Sequence, residues 1–184
     1  MRLYLGLLHY PVYNKNQQRI ASAITSFDLH DLSRLARTYG VKRFFVITPL
    51  TDQQELAERI VRHWTVGYGA KYNPNRKEAL ELITISPSLE ECLQEIEALE
   101  GEQPSVFATD ASKQNGRAMT YTEAARVIGS GKPFLLLLGT AWGLDKEIFS
   151  KADYILDPVW GPTDYNHLSV RSAGAIILDR LVGR

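Results

Sequence analysis

Residues 133–144 read PFLLLLGTAWGL, an apolar run that leads into a short segment flanked by two glycines. Phe134 to Leu138 form the longest apolar run of the chain, and five residues are the length of a strand. A strand without alternating polar residues suits burial on both of its faces. This stretch therefore predicts a buried strand that ends in a tight, glycine-bounded loop.

Short β-like runs alternate with helical patterns along the whole chain. We predict strands at 2–8, 43–47, 82–85, 105–109, 134–138 and 154–156. The predicted helices cover 31–39, 51–66, a segment after Ser88, a segment from Thr120 or Thr122 to about Gly129, 145–151 and 168–181. Such alternation predicts the α/β class, with a mainly parallel sheet flanked by helices. We find no repeat and no linker, so we expect a single domain over residues 1–184.

Three of the helix boundaries carry specific signals. Gly40 is a C-terminal stop for the first helix. Thr51 is expected to cap the second helix. Ser88, followed three residues later by Glu91, predicts a capping box for the third.

The composition excludes several classes of protein. No apolar run approaches the roughly 20 residues that cross a bilayer, and the N-terminus lacks the pattern of a signal peptide. Cys92 is the only cysteine and the four histidines are scattered, so we expect neither disulfides nor a metal site. The phosphate-binding fingerprints G-x-x-x-x-G-K-[ST] and G-x-G-x-x-G are missing, as is the G-x-S-x-G elbow of hydrolases. Because the chain shows no membrane span, no signal-peptide pattern and no disulfide framework, we expect a cytoplasmic protein.

The charge is distributed unevenly although the formal net charge is zero. Residues 1–77 hold 12 Lys and Arg against 5 Asp and Glu, whereas residues 78–184 hold 9 against 16. This asymmetry indicates either a basic surface for a polyanion or solvated helix faces that happen to differ.

Unusual loops follow three of the predicted strands, after Thr109, Leu138 and Leu156. In a parallel sheet, ligands bind beyond the carboxyl ends of the strands. Gly139 and Gly143 permit a close approach of the backbone in the second loop. The three loops are either a shared binding site or ordinary surface connections.

These loops resemble those of a known family. The stretches VFATDASKQNGRAMTYTEAARVIGSGKPFLLLLGTAWGL (106–144) and ADYILDPVWGPTDYNHLSVRSAGAIIL (152–178) are similar to the SPOUT class of S-adenosylmethionine (SAM)-dependent RNA methyltransferases. TSFDLHDLSRLARTYGVKRFFVITP (25–49) resembles the first motif of that class, because Arg34 precedes Gly40 by six residues. LLHYPVYNK (7–15) is similar to the start of a small bacterial subgroup.

The resemblance implies a Rossmann-like half (1–80) and a cofactor-binding half (81–184) whose C-terminal segment is threaded into a deep trefoil knot. SAM would then be held by the three loops and the start of the last helix. The implied cofactor-binding residues are Thr109, Asp110, Leu138, Gly139, Thr140, Trp142, Gly143, Leu144, Leu156, Pro158, Gly161, Leu168 and Ser169. The implied catalytic residues are Arg34, Asp28, Asn166 and Arg171.

The same resemblance implies a homodimer paired through the knotted region. The substrate would be tRNA or rRNA, methylated on a ribose 2′-hydroxyl or a base nitrogen. The RNA backbone would be contacted by Lys15, Arg19, Arg37, Lys42, Arg43, Lys71, Arg76 and Lys77.

The chain departs from the SPOUT pattern in the second loop, where Gly139 to Leu144 contains no glutamate. Two alternatives therefore stay open. One is a SAM-binding module without catalytic activity, and the other is an unknotted nucleotide-binding α/β protein.

Overall fold

A computed structural model describes residues 1–114 and 118–183. Within that part of the chain, seven parallel strands form one sheet in the order β5-β4-β1-β8-β6-β9-β7. These strands are β1 (Leu3–Leu8), β4 (Phe44–Ile47), β5 (Ile83–Ser86), β6 (Ser105–Ala108), β7 (Ala118–Met119), β8 (Phe134–Gly139) and β9 (Tyr154–Leu156). A small antiparallel pair consists of β2 (Val12–Tyr13) and β3 (Arg19–Ile20). The predicted mainly parallel α/β sheet is confirmed.

The apolar run at 134–138 forms the middle of this sheet. β8 lies between β1 and β6, with Leu136 opposite both Leu5 and Phe107. Side chains alternate across the two faces of the sheet, and Leu136 and Leu135 accordingly belong to separate buried clusters. Burial on both faces explains why this strand lacks polar residues.

Two layers of helices cover the sheet. The layer on the face of Leu136 contains α1 (Ser26–Thr38), α2 (Thr51–Thr65), α6 (Tyr121–Ile128) and α8 (Val170–Val182). The layer on the face of Leu135 contains α5 (Leu89–Glu100) and α7 (Lys146–Lys151). Two short helices, α3 (Tyr68–Tyr72) and α4 (Pro74–Leu80), follow α2.

The structure corrects several predicted boundaries. α1 begins at Ser26, five residues earlier than predicted, because the Thr25 side chain accepts a hydrogen bond from the backbone N–H of Asp28. Thr51 is not the cap of α2, since Leu50 occupies that position without a side-chain bond. The sequence analysis also missed α3, α4, β2, β3 and β7, which are too short to give a clear periodicity.

The cap of α5 agrees with the prediction in part, because Ser88 caps the helix while the reciprocal bond from the Glu91 side chain is not among those found in the described residues. Ser88 Oγ accepts from the N–H of Glu91 at 3.1 Å. The reciprocal capping box is found at Thr120, which exchanges bonds with Glu123 and opens α6.

The last helix completes the core at the carboxyl end of β8. Ile177, Leu178 and Leu181 of α8 are buried, and the helix packs against α1, α6 and β8. α8 thereby joins the N-terminal and C-terminal parts of the chain.

No helix among the described residues combines the length and hydropathy required to cross a membrane. Cys92 is fully buried on α5, and burial raises the pKa of its thiol. Across residues 1–114 and 118–183, we find no group of three or more His, Cys, Asp or Glu side chains that could hold a metal ion.

Candidate functional site

A cavity of about 670 Å³ lies where the carboxyl ends of β6, β8 and β9 meet α8 and the segment before α1. All three loops singled out in the sequence contribute to its walls. The volume is that of a small-molecule or cofactor site. The three loops therefore form one site, and they are not separate surface connections.

Most of the predicted cofactor-binding residues line this cavity. They are Thr109, Asp110, Leu138, Gly139, Thr140, Trp142, Gly143, Leu168 and Ser169. Four others lie outside its lining. Leu144 and Leu156 are buried in the core, Pro158 is buried, and Gly161 is exposed. Asp157 and Val159 line the cavity from the third loop in their place.

Two of the four predicted catalytic residues, Asp28 and Asn166, also line the cavity. Arg171 lies behind Asp28 and donates from Nη1 to its Oδ1 at 2.8 Å. Asn166 donates from Nδ2 to the carbonyl of Ala111, which bridges the first and third loops. Arg34 is exposed on α1 and lies outside the lining.

The Asp28 carboxylate is held at both oxygens. Oδ2 accepts from the Thr25 hydroxyl at 2.7 Å, and Oδ1 accepts from Arg171. Arg171 also contacts Asp31 at 3.3 Å and so links α8 to α1. Because Asp28 is only 7% exposed and restrained from two sides, its orientation toward the cavity is fixed.

The glycine-bounded second loop is shaped by its bonds to the β2 strand. The N–H of Trp142 donates to the carbonyl of Tyr13 at 2.9 Å, and the Tyr13 N–H donates to the carbonyl of Gly143 at 3.1 Å. Gly143 has a φ of 99°. These bonds turn the loop so that Trp142, which is 62% exposed, lies at the cavity wall.

The cavity is acidic. Among residues 1–114 and 118–183, three carboxylates line it, Asp28, Asp110 and Asp157, and no Lys or Arg of that part of the chain does. The charge of Asp28 is offset by Arg171, so Asp110 and Asp157 supply the unpaired negative charge. Apolar side chains such as Leu138, Val159 and Ile177 supply the remaining walls. The cavity therefore suits a ligand that combines an apolar or aromatic body with positive charge.

A buried polar chain supports the second loop from below. His9 Nδ1 lies 2.9 Å from Ser22 Oγ, which lies 2.5 Å from Thr140 Oγ1, and Thr140 donates to the carbonyl of Leu8 at 3.1 Å. Ser22 and Thr140 reach the cavity, whereas His9 is fully buried. Burial lowers the pKa of His9 from 6.5 to about 4.

We expect this histidine to make the protein sensitive to acid. Below pH 6.5 His9 is protonated in the unfolded chain, whereas in the folded chain it stays neutral until about pH 4. The free energy of unfolding therefore falls as the pH is lowered across that window. Between pH 7.5 and pH 5, urea unfolding should show a loss about 2 kcal/mol larger in the wild type than in His9→Asn. Parallel pH profiles for the two proteins would refute this origin of the acid sensitivity.

The sequence analysis missed several lining residues. Ser22, Ala23 and Thr25 precede α1, and T-x-x-D at 25–28 is a capping signal that could have placed the helix start there. Tyr121 begins α6 and donates from its hydroxyl to the carbonyl of Asp157 at 2.8 Å. Burial raises the pKa of Tyr121, which keeps this hydroxyl protonated.

A family model described as SAM-dependent RNA methyltransferase matches residues 2–183. The chain belongs to this family. Membership confirms the predicted family, which is described as SAM-dependent, and SAM carries the positive charge and the aromatic base that the cavity suits.

Relatives of this RNA methyltransferase family member differ in length. A protein of Oleidesulfovibrio alaskensis named tRNA (guanine-N(1)-)-methyltransferase is 42% identical over 181 residues, which are 98% of this chain and 42% of the relative. The chain thus spans less than half of that relative. An Aquifex aeolicus protein is 34% identical over 182 residues, which are 99% of this chain and 89% of that protein.

The fold agrees with the SPOUT resemblance. The SpoU methyltransferase AviRb from Streptomyces viridochromogenes, in complex with AdoMet, superposes with a TM-score of 0.56 at 18% identity. The match covers 98% of this chain and 58% of AviRb. The shared element is the fold itself.

Proposed function

We propose that this protein transfers the methyl group of SAM, bound in the cavity of about 670 Å³, to an RNA nucleotide held at the cavity mouth. The observation that carries this proposal is the meeting of all three loops around one acidic cavity, in a chain whose family model spans residues 2–183. tRNA is the first substrate to test, because the Oleidesulfovibrio relative carries a tRNA methyltransferase name.

The lining residues suit each part of SAM. The apolar side chains of Leu138, Val159 and Ile177 would enclose the adenosine, and the backbone of the second loop would contact its edge. Asp110 and Asp157 would offset the positive charge of the sulfonium and the ammonium group. Trp142 would form part of the cavity wall or stack on a base of the RNA.

The chain's own catalytic task is to orient the acceptor and to remove its proton. Bound SAM would supply the methyl group, whose carbon–sulfur bond breaks to leave S-adenosylhomocysteine as the new bond to the acceptor forms. The acceptor hydroxyl or ring N–H then loses its proton, and we assign the acceptance of that proton to Asp28, a carboxylate that lines the cavity. Arg171 acts as a positioning residue for Asp28, while Asn166 would hydrogen-bond the target nucleotide.

Arg34 has a different role in this proposal, because it lies outside the cavity. It follows by one turn of α1 the residue His30, which lines a second, smaller cavity between α1 and α2, and we assign Arg34 to a phosphate of the bound RNA. Arg34→Ala should reduce methyl transfer about tenfold at limiting RNA while SAM affinity stays unchanged. Arg126→Ala removes an exposed arginine of α6 that lines neither cavity, and it is the matched control. Weakened SAM binding in Arg34→Ala would contradict this assignment.

We further propose that the C-terminal segment is threaded as a trefoil knot. β9 lies between β6 and β7 in the sheet, whereas α8 packs over β8. The segment that joins β9 to α8 therefore crosses beside the connection that follows β6. Asn166 of the former segment contacts Ala111 of the latter connection. A crystal structure with α8 outside an unthreaded sheet would contradict the knot.

A homodimer in the cytoplasm is the proposed working form. Phe27, Trp160, Tyr165 and Leu168 are exposed apolar or aromatic side chains next to the cavity, and an oligomer interface would cover them. Light scattering coupled to gel filtration should give about twice the chain mass of 20.7 kDa. A monomer at micromolar concentration would overturn this assembly.

The proposed function is tested by methyl transfer to RNA from cells that lack this gene. Labelled SAM and the purified protein should incorporate methyl groups into the tRNA fraction, and nucleoside mass spectrometry should identify one modified nucleotide. Binding of SAM without transfer to tRNA or rRNA would instead favour the module without catalytic activity.

A further inference from the structure

Residues 59–77 form a segment that does not line the cofactor cavity. The sequence RIVRHWTVGYGAKYNPNRK contains five Lys and Arg, no Asp or Glu, and three large aromatic residues. The segment spans the end of α2, all of α3 and the start of α4. Its exposed basic and aromatic side chains, which we call the 59–77 surface, are Arg59, Arg62, His63, Tyr68, Lys71 and Tyr72.

The aromatic part of the 59–77 surface is a stacked pair. Tyr68 and Tyr72 are 75% and 74% exposed, and their rings lie 6.1 Å apart with an interplanar angle of 22°. They are separated by one turn of α3, so both rings project from the same side of the helix. Two exposed, nearly parallel rings provide a surface on which nucleobases can stack.

Basic side chains lie on either side of the tyrosine pair along the chain. Arg59, Arg62 and His63 share a face of α2, because they are spaced three and four residues apart. Arg76 packs over the ring of Trp64 at 4.5 Å, next to α3. This arrangement of stacking rings and positive charge is typical of surfaces that bind single-stranded nucleic acid.

Some other basic residues of the first half are paired with carboxylates. Arg2, Arg19, Arg37 and Arg43 form ion pairs with Glu100, Asp145, Glu78 and Glu95. Within the described part of the chain, the recorded ion pairs of the 59–77 segment are limited to Lys77 with Glu81 at 3.7 Å. Contact of Arg19, Arg37 and Arg43 with RNA stays a prediction, and it would compete with these ion pairs. The 59–77 segment thus adds four basic residues without a recorded ion pair among the described residues, Arg59, Arg62, Lys71 and Arg76.

The 59–77 surface is continuous with the active site. A second cavity of about 370 Å³ is lined by Ser26, His30 and Trp64 together with the α2 residues Leu56, Arg59, Ile60 and His63. Ser26 and His30 belong to the first turns of α1, where Thr25 and Asp28 line the cofactor cavity. Arg59 and His63 of the 59–77 surface thus lie beside the same end of α1 that borders the cofactor cavity.

We propose that the 59–77 surface binds an unpaired segment of the RNA substrate next to the methylated nucleotide. Tyr68 and Tyr72 stack on its bases, and Arg59, Arg62 and Lys71 contact its phosphates. This inference rests on the proposed function, since the acidic cofactor cavity by itself would repel an RNA backbone.

The tyrosine pair is tested with a fluorescein-labelled 12-nucleotide RNA, single-stranded or as a duplex, by fluorescence anisotropy. The wild type should prefer the single strand, and Tyr68→Ala/Tyr72→Ala should weaken its binding at least about tenfold. Leu99→Ala, which removes an exposed apolar side chain from α5, should bind as the wild type does. Equal binding of duplex and single strand, or an unchanged affinity in the double variant, would overturn the inference.

The arginines are tested by the salt dependence of the same binding. Arg59→Gln/Arg62→Gln should lower the slope of log K against log salt by about 0.7 for each lost phosphate contact. Arg126→Gln should leave the slope unchanged, and an unchanged slope in the double variant would count against the surface.

Failure of this inference and failure of the proposed function have different signatures. Titration of SAM against each variant should give the wild-type affinity, because none of these residues lines the cofactor cavity. If the double tyrosine variant methylates RNA at the wild-type rate at limiting RNA, the surface is refuted and the methyltransferase proposal stands. If the wild type binds neither SAM nor RNA, both are refuted.

Discussion

Gly143→Ala is expected to weaken SAM binding by about 10- to 100-fold. Gly143 has a φ of 99°, where an L-residue is strained by roughly 1–3 kcal/mol. A Cβ at this position would also lie 2.9 Å from Oδ2 of Asp110, a carboxylate of the cavity wall. The second loop must shift to relieve the strain and the close contact, which would move Trp142 away from the ligand and displace the Asp110 carboxylate of the first loop. Calorimetric titration of SAM measures the loss.

Gly131→Ala is the matched control for this substitution. Gly131 has a φ of 91°, and a Cβ built there meets nothing within 4 Å. It precedes β8, at the opposite end of that strand from the cavity. We expect the same backbone strain with unchanged SAM affinity. An equal loss of affinity in both variants would mean that general destabilisation, and not the loop geometry, is responsible.

Asp28→Asn is expected to slow methyl transfer by about 100- to 10,000-fold, the usual contribution of a general base. An asparagine can keep both hydrogen bonds, because its oxygen can accept from Arg171 and its NH₂ can donate to the Thr25 hydroxyl. Only the charge and the proton affinity are lost. Single-turnover transfer from labelled SAM at saturating RNA measures the rate, and SAM affinity should change by a few-fold at most.

Asp31→Asn provides the control for the loss of a carboxylate beside Arg171. Asp31 contacts the same guanidinium at 3.3 Å but does not line the cavity. We expect transfer close to the wild-type rate. A large loss in Asp31→Asn with a small loss in Asp28→Asn would reverse the roles of the two carboxylates.

Hydrophobic pattern predicted the sheet well, because its longer strands are rich in apolar residues and lie between helical segments. The run at 134–138 is apolar because β8 is covered on both faces. The two-residue strands could not be predicted, since two residues show no periodicity. β7, at 118–119, is defined only by its pairing with β9.

The candidate site was predictable where loops follow strands and less so elsewhere. Gly139 and Gly143 marked the second loop correctly because a tight turn leaves a sequence signature. Thr25 and Tyr121 were missed, because their place at the cavity depends on how α1 and α6 pack against α8. The third loop was assigned to Pro158 and Gly161, although Asp157 and Val159 line the cavity. Side-chain direction in an irregular loop cannot be read from residue type.

Separation of charge is the common feature of the two proposals. The carboxylates Asp28, Asp110 and Asp157 make the cofactor cavity acidic, whereas the 59–77 surface is basic. A cationic cofactor and a polyanionic substrate are thereby attracted to different but adjoining places.

The most direct test of the account is calorimetric titration of SAM into the wild-type protein and into Gly143→Ala. We predict saturable binding of one SAM per chain to the wild type and a loss of about 10-fold or more in the variant. Heat of dilution alone with the folded wild type, at millimolar SAM, would contradict the claim that the three loops form a SAM site.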